Sequence, residues 1–161
     1  MRPDEWEMFR AMRLHALQTE PGYFLMSYAQ EAAQPDEHWR AELIGSEKQQ
    51  VFGLYDDARL IGITAAFTWR LDPSGATALF AMSYILPEYR GHGYSRLLYE
   101  SRVAWVREHA QFEKIVVSHR ASNAVSGKAN RPFGFEYVRT ESKNWPDGTT
   151  EDERIYELRL K

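Results

Sequence analysis

No stretch of this chain constrains its fold more than residues 76 to 109. ATALFAMSYIL, residues 76 to 86, reads as a long strand, ended by Pro87, which has no N–H to give to a ladder. From Tyr94 to His109 the apolar period changes. Tyr94, Leu97, Leu98, Ser101, Ala104 and Trp105 fall on one arc of a 3.6-residue helix, while Arg96, Glu100 and Arg107 face away. The two are joined by PEYRGHGYS, residues 87 to 95. A strand that runs through a glycine-bearing turn into a helix gathers unpaired N–H groups at the positive end of the helix dipole. Such a turn either holds an anion or is a tight corner whose glycines only supply positive φ. Two known phosphate loops are excluded. Gly93-Tyr94-Ser95 lacks the lysine of a Walker loop; a dinucleotide fingerprint needs a glycine where Arg96 stands and an acid where Ser118-His119-Arg120 follow the next strand.

The remaining segments build a mixed α/β sheet around that unit. Trp6, Phe9, Leu14 and Leu17 recur at helical spacing across residues 4 to 17, and Pro21-Gly22 ends the run. A second helical stretch from Tyr23 to Ile44 breaks at Pro35, where Asp36 is placed to cap a helix carrying Trp39, Leu43 and Ile44. VFGLYDDARLIGITAAFTW then reads as a hairpin with its tip at Asp56-Asp57-Ala58-Arg59, and Asp72-Pro73-Ser74-Gly75 makes the next turn. After the glycine turn and its helix come the short strand KIVVSH, residues 114 to 119, and a helical turn capped by Asn123. FGFEYV and ERIYELRL close the sheet around a polar loop, Asn144 to Thr150, with Trp145 exposed.

Composition narrows the function. With 161 residues the chain fits one domain, 1–161. Its net charge of -3 gives no basic field for phosphate backbones, so nucleic acid is excluded as a partner. The absence of cysteine removes thiolate metal sites and a thiol nucleophile, and five scattered histidines have no metal-ligand spacing. No run approaches the ~20 apolar residues of a membrane span, and the expected location is the cytoplasm.

The glycine turn resembles the signature of the GNAT superfamily of N-acetyltransferases, Arg/Gln-x-x-Gly-x-Gly/Ala between the family's fourth strand and the following helix. Here it reads Arg90, Gly93 and Ser95. The second block is similar as well: KIVVSH, then Asn123, Ser126 and Gly134-Phe135 at the family's spacing. RLHALQTEPGYFLMSY and DEHWRAEL look like the paired helices that border the acceptor site. The resemblance implies a mixed, mostly antiparallel sheet flanked by helices, splayed between the family's fourth and fifth strands. It also implies transfer of acetyl from acetyl-CoA, as co-substrate, to a primary amine, either a small molecule or a peptide N-terminus. Attack would be direct, within a ternary complex, and relatives are often homodimers. The alternative is a non-catalytic acyl-CoA-binding or regulatory module.

Carried over by position, the backbone of Gly91, His92, Gly93, Tyr94, Ser95 and Arg96, with Arg90, would hold the pyrophosphate. Ser83, Tyr84 and Ile85 would flank the pantetheine arm and supply an oxyanion donor, and Asn123 would contact the cofactor besides capping its helix. The sequence departs from the family in three places. Ser95 replaces Gly or Ala. Asn130 stands where many relatives carry the tyrosine that protonates the thiolate, and an amide has no such proton to give. The family's first strand is cut short or absent. Gly127 and Pro132 would also end the helix around Asn130 early. For acid–base work the candidates are Tyr84 and Ser118, with Asn130 at the usual acid position; His119, Tyr137 and Glu31 stand beside them. Some relatives have glutamate at the Ser118 position, and strand alternation puts His119 on the opposite face from Ser118. Tyr23, Phe24, Tyr28 and Trp39 either line the acceptor groove or fill the core.

Overall fold

The computed structural model describes residues 1–160. Helix α1 (Trp6–Thr19) is followed by the short helices α2 (Tyr28–Ala32) and α3 (Asp36–Glu42). Strands β1 (Gln49–Asp56), β2 (Arg59–Thr68) and β3 (Thr77–Ile85) then run antiparallel. Helix α4 (Ser95–Glu108) leads to β4 (Lys114–Arg120), α5 (Ala124–Asn130), β5 (Glu136–Asn144) and β6 (Thr150–Arg159). The sheet order is β1-β2-β3-β4-β6-β5, and only β3 and β4 run parallel, because α4 carries the chain back across the sheet. No strand precedes α1 among the described residues, and no helix among them is long and apolar enough to cross a membrane.

Both faces of the sheet are covered, which explains why every residue from Leu60 to Ala66 on β2 is buried rather than every second one. On one face α1 lays down Phe9, Met12, Ala16 and Leu17, and the Trp39 ring of α3 meets Phe9 edge-on at 5.7 Å. On the other, α4 packs Tyr99, Val103 and Val106 against Ala78, Phe80, Ile115 and Val117.

The buried arc of α4 differs from the expected one. Leu97, Ser101 and Ala104 face solvent, while Leu98, Tyr99, Arg102, Val103, Trp105 and Val106 are buried. The helix is turned so that Arg102, which polarity alone would place outside, lies between the Phe80 and Tyr99 rings at 4.3 and 4.4 Å. Aromatic faces accept a guanidinium that open hydrocarbon would not.

Two smaller expectations also change. Pro35 is the N-cap of α3, so Asp36 is its first helical residue and instead pairs with Arg10 at 3.1 Å. Strand β5 starts only after Gly134, whose φ of +82° ends the preceding 3-10 turn, and runs on to Asn144. Trp145 is 4% exposed, not a surface cover: its Nε1 donates to the Glu151 carbonyl at 3.0 Å and the Arg120 guanidinium lies over its ring.

The feature that positions the site is a divergence. β3 and β4 pair only from Thr77–Lys114 to Phe80–Val117; past that point Ala81–Ile85 and Ser118–Arg120 run on without a shared ladder. A bulge accompanies the divergence. Ile63 faces Tyr84 and Ala65 faces Ala81, so Met82 and Ser83 share one partner, Thr64, and Met82 adopts a φ of +58°. That conformation costs a non-glycine residue about 1–2 kcal/mol, and the Thr64 hydroxyl helps hold it by bonding to Ser83 Oγ at 2.8 Å.

Candidate active site

The turn from β3 into α4 opens a row of donors. Pro87–Tyr89 forms a 3-10 turn, and the Arg90 N–H closes it on the Pro87 carbonyl. The next intramolecular donor is the Arg96 N–H, on the Gly93 carbonyl. The backbone N–H groups of Gly91, His92, Gly93, Tyr94 and Ser95 therefore donate to no group among the described residues. Gly91 and Gly93 both have a φ of +79°, and a Cβ on either would meet nothing within 4 Å. The loop thus lies open on its outer side, at the positive end of a 14-residue helix.

The Arg90 side chain braces this loop rather than pointing freely outward. Its Nε donates to the Ile85 carbonyl at 2.8 Å, Nη1 to Glu20 at 2.6 Å, and its plane covers the Tyr84 ring. The strand end, the C-terminus of α1 and the glycine turn are tied together by one guanidinium. His92 is exposed and stacks on Tyr94, and Arg96 pairs along the helix with Glu100.

The cleft between the diverging strands lies next to that loop. Tyr84 is 3% exposed and points to the α1 face, its hydroxyl 3.2 Å from Thr19 Oγ1. Ser83 lies exposed at the bulge, Ile85 is half-buried, and Ser118 is the first residue of β4 past the last paired position. Tyr137 is 57% exposed on the outermost strand, two strands from β4, and bonds to Thr140.

Around Ser118 the structure assembles charges that periodicity could not foresee. Ser118 Oγ donates to Glu153 Oε1 at 2.5 Å, and Lys143 Nζ holds Glu153 Oε2 at 2.5 Å. Glu153 reaches Ser118 because β6 pairs with β4 in a register that sets Ile155 opposite Ser118, leaving Glu153 two residues along on the same face. The visible signal was the alternation in EDERIYEL; the partner strand and its register were not visible. At the end of β4, Arg120 donates to the Gly22 carbonyl at 2.9 Å, to Asp147 at 2.7 Å and to Glu151 at 2.5 Å, and also bonds to Thr149. The Thr149 hydroxyl and the Arg120 guanidinium hold the Asp147 carboxyl down at about 2, and Arg120 lowers Glu151 as well. This bracket joins the segment after α1 to the β5–β6 turn.

Other candidates separate from this group. Glu31 has both oxygens on the Arg13 guanidinium, at 2.9 and 2.6 Å, so it does not stand ready as a base. His119 lies on the opposite face from Ser118, stacked on Tyr156, with Nδ1 2.8 Å from the Arg120 carbonyl. Asn123 caps α5 through the Ser126 N–H, and α5 ends at Asn130 before the 3-10 turn Arg131–Phe133. Asn130 is 0% exposed, and neither its Oδ1 nor its Nδ2 has a partner among the described residues. No hydrogen bond links Tyr84, Ser118 and Asn130 to one another. Of the aromatics near α2, Trp39 is core and Phe24 half-buried beneath Arg13, while Tyr23 and Tyr28 are exposed.

Comparison with known proteins bears on the same elements. The profile of the acetyltransferase (GNAT) family matches residues 9–135. No curated protein matches significantly in sequence. Among solved structures, a GNAT-family acetyltransferase from Streptococcus pneumoniae superposes with a TM-score of 0.84 at 13% identity, covering 99% of this chain and 96% of that one. The Salmonella typhimurium protein yncA, solved with its cofactor acetyl-CoA, gives a TM-score of 0.82 at 15% identity and covers 100% and 91%. A ribosomal-protein-alanine N-acetyltransferase from Brucella melitensis gives 0.82 at 18% identity and covers 99% and 97%.

Proposed function

Because this chain belongs to the acetyltransferase (GNAT) family, we propose that it transfers the acetyl group of acetyl-CoA to a primary amine, of a small molecule or a peptide N-terminus. The observation that carries this reading is the run of undonated N–H groups from Gly91 to Ser95 beside the parted strands. Those donors suit a pyrophosphate, whose charge also benefits from the start of α4. Asn123 Oδ1 caps its own helix by accepting from the Ser126 N–H, which leaves Nδ2 and the backbone for a cofactor contact. From the loop to the point where the strands part, Ala81–Ile85 offers an edge of roughly 16 Å at about 3.3 Å per residue, free of a β4 ladder. An extended pantetheine arm can pair there as a strand would.

In the ternary complex the amine attacks the thioester carbon directly, and a backbone N–H of the Ser83–Ile85 segment stabilises the oxyanion. Alignment of the two reactants can supply ~7–11 kcal/mol of the barrier. Tyr84, whose hydroxyl lies on the α1 face 3.2 Å from Thr19 Oγ1, is the candidate replacement for the acid missing at Asn130. Attack forms the C–N bond and the oxyanion; its collapse breaks the C–S bond, and a proton from nitrogen ends on the CoA sulfur.

Asn130 favours a second reading. A buried amide without partners at the usual acid position fits a module that binds acyl-CoA without turning it over. Thiol release from acetyl-CoA with a panel of peptide and alkyl amines separates the two. Enzyme-dependent thiol with a mass-verified acetylated amine, and intersecting initial-velocity lines, is the expected result. Saturable acetyl-CoA binding with no thiol from any amine establishes the non-catalytic reading, and parallel lines refute direct transfer.

A further inference from the structure

Glu153 is the only carboxylate among the described residues that is fully buried, at 3% exposure, and amine transfer as outlined so far gives it nothing to do. A carboxylate out of water needs partners for both oxygens. Here one partner is the Lys143 ammonium. The other is the hydroxyl of Ser118, a half-buried residue at the root of the cleft. A serine has one proton to donate, and Ser118 commits it to Glu153, so its lone pairs are left for an incoming donor. Resting on the amine-acetylation reading above, we propose that Ser118 and Glu153 form a two-residue proton relay that accepts the proton of a bound ammonium. Ser118 would touch the acceptor; Glu153 acts through it, orienting the hydroxyl and taking the charge.

The step balances without any further reactant. The ammonium N–H passes its proton to Ser118 Oγ as the Ser118 proton moves to Glu153 Oε1, which leaves a neutral amine, an intact serine and a protonated Glu153. The amine then attacks the thioester; its second proton goes to sulfur as the C–S bond breaks. Glu153 returns its proton through Ser118 to water once the products have left. Lys143 keeps Glu153 turned toward Ser118 throughout by holding Oε2.

The charged groups around the relay leave it unrivalled. Glu141 on β5 and Arg120 on β4 stand opposite Glu153 in the sheet register, and Glu151 lies two residues along β6. Glu141 is paired with Arg139, and Arg120 with Asp147 and Glu151. His119 points to the other face and Glu31 is closed by Arg13. Ser118 alone connects a buried base to the cleft.

Glu153→Gln keeps the size of the side chain and a partner for Ser118 but cannot take up a proton. The experiment measures kcat/KM for acetyl transfer against pH, with an N-terminal alanyl peptide, an N-terminal seryl peptide and 1,4-diaminobutane as acceptors, alongside calorimetric binding of acetyl-CoA. Wild type is expected to be level through neutral pH, because it binds the ammonium and deprotonates it. Glu153→Gln should depend on amine that is already neutral. Its rate then falls tenfold for each pH unit below the amine pKa, a loss of about a hundredfold or more at pH 7 with the diamine that closes toward pH 10. Ser118→Ala should give the same sloping profile, and it judges the relay if Glu153→Gln folds poorly. Acetyl-CoA affinity should hold in both. Variants that lose activity equally at every pH, or keep the wild-type profile, overturn the relay and leave the cluster a structural pair. Wild type that binds acetyl-CoA yet releases no thiol with any of these amines overturns the transfer reading and the relay together.

Discussion

Gly93 and Gly75 offer a matched pair for deciding what the loop after β3 does. Both sit at positive φ, +79° and +72°, and a Cβ built on either meets no atom within 4 Å. Alanine at either site therefore brings the same backbone strain and no clash, about 1–2 kcal/mol for a left-handed residue. For 161 residues the unfolding entropy near 60 °C is about 0.3 kcal/mol per kelvin, so each variant should lose about 3–6 °C in Tm. The positions differ in place. Gly75 ends the turn between β2 and β3, where its N–H is bonded to the Asp72 carbonyl; Gly93 lies at the far end of β3, amid undonated N–H groups. If the loop binds phosphate, the new methyl stands where the anion approaches and at least one charge-assisted hydrogen bond, worth about 1.5–3 kcal/mol, is lost. Calorimetric titration with acetyl-CoA should then show Gly93→Ala at least about tenfold weaker and Gly75→Ala unchanged. Equal Tm losses with equal, undiminished affinities would refute the reasoning: the loop glycines would serve only the corner.

Two other perturbations test the parts that hold the cleft open. A Cβ on Gly62 would come within 2.8 Å of the Tyr84 carbonyl, a backbone atom that cannot swing aside. Gly62→Ala should cost about 1–3 kcal/mol, as overpacked sites do, and a Tm within 1 °C of wild type would show that β2 and β3 are not held so closely. The Arg120 bracket should fail in acid. Asp147 is held down at about 2 in the folded chain and Glu151 below its ordinary value, so what they contribute is fully present above about pH 5 and is lost as pH falls toward 2. Protection of the Tyr23 amide, which bonds to the Glu20 carbonyl beside Gly22, should fall through that window when measured against its intrinsic exchange rate at each pH, and in Arg120→Met it should already be low at pH 7; unchanged protection in the variant would remove the bracket from the control of that segment.

The binding half of the site was legible because its logic is local. A strand, a proline, two glycines and an amphipathic helix fix where unpaired N–H groups must gather, whatever the rest of the chain does. The buried arc of the helix is offset from the one its period predicts, since a period counts Arg102 as polar and cannot know that Phe80 and Tyr99 will sandwich it. Trp145 fails for a similar reason: a Trp-Pro-Asp-Gly turn looks exposed until Arg120, from a strand laid down before it, covers the ring. The acid–base half depends wholly on such long-range pairing. Serine at position 118 looked like the loss of a carboxylate that some relatives carry there. Strand β6 returns one, because antiparallel pairing with β4 places Glu153 diagonally across from Ser118 on the same face. A shift of that register by one residue would send Glu153 to the opposite face and bring Asp152 or Arg154 round in its place. The chemistry available at the cleft is thus set less by which residue occupies a motif position than by the register of the strand that closes the sheet beside it.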